Sequence, residues 1–355
     1  MQAAARGPQV HVIVPGSLET RTGGYGYDRE IVAGLERRGW TVRVHEIPGS
    51  FPAPSVESRR AAAAALASLP DGAAVVVDGL ALGALPDEAA REASRLRLIA
   101  LVHHPLADET GLGANARAEL EASERRALAA ARHVVVTSPR TAAALDRYGV
   151  APSSITVIEP GTDAAPQARG SKGKAVELLC VATVVPRKGH DVLMRAVAAM
   201  PDAPWHLTCV GGLDRDEAWA SSVRAEAAAL GVASRVVFVG ELEREPLDAL
   251  YDAADVFVLP TWYEGYGMAV AEALARGLPV VSTATGAIAD LVGDDAGLLV
   301  PPGDVAALTR ALSSVVTDAT LRGRLSAGAR RARARLRSWD DAAGLMAATI
   351  EGVDG

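Results

Sequence analysis

Aromatic residues supply only 4% of this 355-residue chain, and cysteine occurs twice. Two thiols cannot build a disulfide framework. Cys180 and Cys209 lie in apolar, strand-like runs and read as small buried hydrophobes of a reduced compartment rather than as a bridge or a metal site. Apolar residues still make up 49% of the chain, much of it alanine, so the cores must be built from Val, Leu and Ala in closely packed α/β layers. Basic excess is missing as well. A net charge of −7 argues against general affinity for nucleic acid or anionic lipid. No apolar run is long enough to span a bilayer, and the opening Met1-Gln2-Ala3-Ala4-Ala5-Arg6 lacks a hydrophobic signal core, so a cytoplasmic protein is expected. The Gly-x-Gly-x-x-Gly spacing of a dinucleotide fold is absent after the first strand, which weighs against a dehydrogenase.

What is present is alternation, over a length sufficient for two domains. Strand patterns at 9–14, 40–46, 73–78, 98–102, 133–137 and 155–158 are interleaved with helical patterns, around 87–95 and 114–131 among them. Alternation of this kind implies a parallel sheet covered on both faces. Residues 164–174 then lose all periodicity and read as a linker. Strands resume at 176–182, 205–210, 235–239, 256–260 and 278–282. One basic cluster stands out, with arginines at 322, 324, 330, 331, 333, 335 and 337. It reads as a solvated helix face, with a surface for an acceptor or a membrane as the alternative. A last helix is expected from Trp339 to Val353.

The chemistry concentrates between Asp255 and Gly303. A buried strand, Val256 to Pro260, leads into Glu264-Gly265-Tyr266-Gly267, then a helix of small residues from Met268 to Ala275, then another strand. A loop of this kind lies at the carboxyl edge of a parallel sheet, and the amides of Gly267, Met268 and Ala269 would point into the crevice there, well placed for a phosphate. Gly265 and Gly267 permit close approach of a ligand. Carboxylates beside phosphates are electrostatically awkward, so Glu264 and Glu272 read as acceptors of hydrogen bonds from sugar hydroxyls. Upstream, Arg187-Lys188-Gly189-His190 puts a mobile cation beside another helix start, again favourable for a diphosphate. His103-His104-Pro105 follows the fourth strand, where a crevice is also expected.

The runs Ala253 to Thr261, Glu264 to Glu272, Gly277 to Val281 and Gly297 to Asp304, in that order, resemble the second domain of the retaining glycosyltransferases of family 4 (group 1). The resemblance implies a GT-B fold, two Rossmann-like α/β domains whose parallel sheets face an interdomain cleft. The expected boundaries are an acceptor-side domain at 1–163, the linker, a nucleotide-sugar-binding domain at 175–336, and a terminal helix, 337–355, packing back on the first domain. It implies a nucleotide-diphosphate sugar as donor, an acceptor hydroxyl of unknown identity, and no metal or other cofactor. Glu264 would contact the donor sugar, Glu272 the ribose, and the amides of Gly267, Met268 and Ala269 the sugar and diphosphate. Gly23 and Gly24, in the loop after the first strand, and Gly211, in the glycine turn after 205–210, join the candidates. One histidine after the fourth strand would reach the sugar, either His103 or His104, with His103 nearer the strand end.

One departure from the family pattern concerns the anion clamp. The usual Gly-Arg at the end of the 176–182 strand is Ala182-Thr183 here, so leaving-group stabilisation is expected to rest on Lys188 and on Arg187. A nucleotide-sugar epimerase and a non-catalytic nucleotide-sugar binding protein are the alternatives on the same scaffold.

Overall fold

Among the described residues, twelve strands form two separate six-stranded sheets, every adjacent pair of them parallel. The computed structural model describes residues 7–353; Met1 to Arg6, the segment without a signal core, lies outside that range. The chain divides into two units, one running to Gly161 and completed by the stretch from Arg337, the other spanning Thr162–Leu336. Among the described residues no helix is long and apolar enough to cross a membrane.

The first unit contains β1 (Gln9–Pro15), β2 (Thr41–Ile47), β3 (Ala74–Asp78), β4 (Arg97–Val102), β5 (His133–Val136) and β6 (Ile155–Val157), in the order β2-β1-β3-β4-β5-β6. Its core is aliphatic, with Ile13, Val75, Leu98 and Leu145 fully buried. The order reverses between β1 and β3, and a crevice opens at such a reversal because consecutive crossovers leave on opposite faces of the sheet. The loops after β1, β3 and β4 therefore gather at one edge. The last helix, Trp339–Gly352, carries a capping box between Ser338 and Asp341 and lies in this unit: Trp339 meets the Tyr27 ring edge-on at 5.9 Å, and Arg38 pairs with Asp340 at 3.0 Å.

In the second unit β7 (Val176–Val181), β8 (Trp205–Val210), β9 (Val236–Gly240), β10 (Val256–Leu259), β11 (Val280–Thr283) and β12 (Gly297–Val300) are ordered β12-β11-β10-β7-β8-β9. This is the doubly wound arrangement in which β7 and β10 flank the reversal. Strand β11 starts two residues later than its apolar pattern implies, because Leu278 is spent closing the preceding helix, its N–H donating to Ala273 O at 3.0 Å. The stretch expected as a linker carries no regular element, yet it is fastened to this unit: Ala168 N–H donates to Arg276 O, and Arg169 and Ser171 are held by Asp252 and Asp255. Backbone amides without a ladder need acceptors, and these two aspartates supply them. The arginine-rich helix, Ala319–Arg333, is largely solvated on its basic side, with Arg331 paired to Asp295 at 2.5 Å.

Candidate functional site

The second unit places its charged groups at the β7/β10 reversal. Loops following these two strands are laced together: Trp262 N–H and Thr261 Oγ1 donate to Arg187 O at 2.8 and 3.0 Å, and the Arg187 guanidinium donates to Tyr263 O at 2.8 Å. Gly189, at φ +69°, ends the turn Pro186–Lys188, and a Cβ there would stand 2.0 Å from Pro260 O, so the loops can approach only through a glycine. The consequence is an ion cluster. Lys188 Nζ pairs directly with Glu264 Oε1, and Arg187 lies 3.8 Å from the same oxygen. Burial pushes the Glu264 carboxyl up, but Lys188 and Arg187 outweigh it and hold it below the usual range. Burial also depresses Lys188, with Glu264 opposing and Arg187 adding to the effect.

Three residues on, Gly267 at φ +100° starts the helix Met268–Ala275 with no side chain capping it. The first amides of a helix have no intrahelical acceptor and sit at the positive end of its dipole. Glu264, which holds both cations, thus stands three residues before a helix start that no side chain caps. Glu272, one turn into that helix, lies apart. It accepts from Tyr251 Oη at 3.0 Å, and Tyr251 is itself fully buried, stacked on Phe257 and covered by the Arg276 guanidinium at 4.3 Å. Burial raises Glu272, while Tyr251 and Arg276 pull it part of the way back. Among the described residues Glu264 and Glu272 share no hydrogen-bond or ion-pair partner. Gly211 has a local reason for its identity: a Cβ there would meet Ala182 O at 2.1 Å, so the residue lets the ends of β7 and β8 pack.

In the first unit, His103 follows β4 and its Nε2 lies 3.2 Å from Asp28 Oδ1 and 3.4 Å from Asp78 Oδ2. Asp28 comes from the helix Gly23–Arg37, and Asp78 ends β3, where it also accepts from Leu80 N–H at 2.7 Å. Tyr27 packs edge-on against the imidazole at 5.4 Å. A Cβ on Gly24 would stand 3.3 Å from His103 Cδ2, so Gly24 makes room for the ring. Gly23 opens the same helix. Burial alone would lower the imidazole, yet Asp28 and Asp78 outweigh it and push His103 up to about 10. Asp28 is carried up to about 6, chiefly by burial. His103 is accordingly an imidazolium at neutral pH, a donor and not a base. His104 turns instead toward Glu109, at 3.5 Å.

Sequence reasoning missed both aspartates. Asp28 stands four residues after Gly24, one helical turn along, and that spacing was the available signal. It also missed Glu124, buried on the helix Ala114–Ala130, whose Oε2 accepts from Leu106 N–H at 2.9 Å. Burial carries that carboxyl up to about 7. It fastens the start of the 106–113 loop, which Arg147 also holds through Asp108 at 2.6 Å.

Two doubly wound parallel units, one with a cation cluster beside a bare helix N-terminus at its reversal, define the GT-B class of glycosyltransferase fold. Residues 162–332 match the family described as "Glycosyl transferases group 1", and residues 2–165 match "Glycosyltransferase Family 4". The chain belongs to glycosyltransferase family 4 (group 1). Among curated proteins it is similar to D-inositol 3-phosphate glycosyltransferase of Salinispora arenicola, 35% identical over 63% of this chain and 55% of that one. It is also similar to 2-deoxystreptamine N-acetyl-D-glucosaminyltransferase of Streptomyces fradiae, 35% identical over 56% and 50%. The chain spans about half the length of these relatives. The fold matches sucrose-phosphate synthase from Thermosynechococcus elongatus (TM-score 0.83, 22% identity, 98% and 99% covered). It also matches Anabaena HepE in complex with UDP and glucose (TM-score 0.79, 18% identity, 97% and 100% covered).

Proposed function

We propose that this chain is a retaining, metal-independent glycosyltransferase that moves a sugar from a nucleotide-diphosphate sugar to an acceptor hydroxyl. The observation that carries the reading is the Lys188, Arg187 and Glu264 cluster beside the uncapped helix start at Gly267, all at the chain reversal of the second unit. Transfer breaks the bond between the anomeric carbon and the donor phosphate while a bond to the acceptor oxygen forms on the same face. Negative charge builds on the departing diphosphate, and the ring becomes cation-like. Lys188, Arg187 and the Gly267, Met268 and Ala269 amides would meet that charge without a divalent ion.

Glu264 stays ionised, so it accepts hydrogen bonds from sugar hydroxyls and does not serve as an acid. His103, held as an imidazolium, is a hydrogen-bond donor and not a base. Glu272 takes the ribose, its carboxylate aimed by Tyr251. The relatives named above and the UDP bound in HepE support a nucleotide-sugar donor.

A thermal-shift screen of UDP-, GDP- and ADP-sugars tests the donor, since a ligand bound by the folded state alone raises the melting point with concentration over Kd. Transfer is then assayed with excess chelator, D-inositol 3-phosphate and 2-deoxystreptamine heading the acceptor panel, and the anomeric configuration of the product read by NMR. Absence of any shift across the three donors would sink the reading; an inverted product or loss of activity in chelator would overturn its finer parts.

A further inference from the structure

Directly below the Lys188 turn, the two cysteines meet a histidine that the proposed transfer does not use. Strands β7 and β8 run parallel with Cys180 paired to Cys209 in register. The helix His190–Ala198 begins immediately after Gly189, and its first residue sets Nε2 of His190 3.8 Å from Cys180 Sγ. The two sulfurs and the imidazole nitrogen all lie within 4.8 Å of one another. All three residues are buried, and the other ring nitrogen of His190 has no partner.

As small hydrophobes, two core cysteines need no polar company. A buried imidazole does, because an unpaired polar group in an apolar core costs free energy. Here the sulfurs are what the ring faces. Around a d10 ion, bonds of about 2.3 Å to sulfur and about 2.0 Å to nitrogen in a trigonal plane put sulfur and nitrogen about 3.7 Å apart. The observed 3.8 Å matches that separation.

We propose that Cys180, Cys209 and His190 form a buried three-coordinate site for a soft, thiophilic cation, Cu(I) being the fitting ion. The donor set selects among cations on chemical grounds. Thiolate and imidazole reject hard oxygen-seeking ions such as Mg2+ and suit Cu(I) or Zn2+. Zinc calls for a fourth ligand, and among the described residues the cluster offers three. Cu(I) is content with three. Because His190 is two residues from Lys188, the occupied site would also stiffen the turn that presents Lys188.

The test is anaerobic titration of the reduced full-length chain with Cu(I) against a competing chelator, both on the native protein and on protein refolded from denaturant with Cu(I) present. Expected results are one ion per chain, an ultraviolet thiolate-to-copper charge-transfer band, and an X-ray absorption fit of two sulfurs and one nitrogen. Cys180→Ala, Cys209→Ala and His190→Gln should each weaken binding by more than about 100-fold, the upper end of what losing even an indirect partner costs. Circular dichroism checks that each variant is folded. Failure of the refolded wild type to hold one equivalent overturns the proposal. Binding that persists in the Cys180→Ala/Cys209→Ala double variant overturns it equally, by placing the copper elsewhere.

Discussion

The loop cluster of the first unit gathers two carboxyl groups around one cation, Asp28 and Asp78 around His103; that of the second gathers two cations around one carboxylate, Lys188 and Arg187 around Glu264. Both stand at the carboxyl edge of a parallel sheet, next to the reversal in strand order. Equivalent backbone positions have thus been given opposite electrostatics. Under the proposed function, a diphosphate would be attracted to the second cluster and repelled by the carboxylates of the first. This contrast is what the following experiments break or sharpen.

Removing the second cluster should have the largest effect. Glu264→Ala and Lys188→Ala are each expected to lower kcat by about 100- to 1000-fold, the scale seen when one preorganised group facing developing charge is deleted. Circular dichroism and melting curves should be unchanged beyond a few degrees. Near-wild-type turnover in both variants would remove the site from the second unit altogether.

Next in size is a stability effect confined to the first unit. Glu124 is raised to about 7 from an ordinary value of 4.5, so the folded state holds its proton more tightly than the unfolded chain does. Its contribution is fully present below pH 4.5 and is lost as pH rises through 7, on the order of 3 kcal/mol in all. Glu124→Gln keeps the bond from Leu106 N–H without the ionisation, and denaturant titrations at pH 5 and pH 8 should show a much flatter dependence than wild type. An unchanged slope would mean that the carboxyl titrates normally.

How far these features were legible in the sequence differs between the two clusters for a physical reason. In the second unit the strand, loop and helix that carry the chemistry are contiguous, and the helix Met268–Ala275 has the bounds its pattern implies. Local spacing was enough there, and a single further loop supplied Lys188. The first cluster is assembled from a helix, a strand end and a loop that only the order β2-β1-β3-β4 brings together. An isolated Asp28 on a helix reads as a surface charge. Tyr251 behind Glu272, and His190 over the paired cysteines, depend likewise on register and packing that no local pattern encodes. The helix Val56–Ala67 was missed because its run of alanines has almost no polar and apolar alternation to read.

A smaller effect separates position from charge in the first cluster. Asp28→Asn removes the larger of the two carboxylate influences on His103, so burial should drag the imidazole down from about 10. His103 contributes as a cation fully below pH 6.5, and this is lost as pH rises through its folded value. The wild-type imidazole resonance should therefore not titrate between about pH 6 and pH 8, whereas the variant should titrate there and acquire an alkaline fall in transfer of about tenfold. A wild-type resonance that titrates near 6.5 would mean the two acids do not hold the proton.

The finest distinction lies inside the second cluster, between the two cations. Lys188 meets Glu264 head on, while Arg187 is braced by Tyr263 O and stands farther off. Arg187→Lys preserves the charge but loses the fork that reaches a carbonyl and a phosphate at once, so kcat/KM should fall by about fivefold, roughly 1 kcal/mol. Arg187→Ala should cost more, and adding Thr183→Arg to it should recover part of the loss, because a guanidinium at the end of β7 would address the same leaving group from the other side of the loop. Recovery would mean that the two positions are alternative solutions to one electrostatic requirement. If Arg187→Ala turns over like wild type, Lys188 and the helix amides carry the diphosphate unaided, and the asymmetry between the clusters narrows to one cation against two acids.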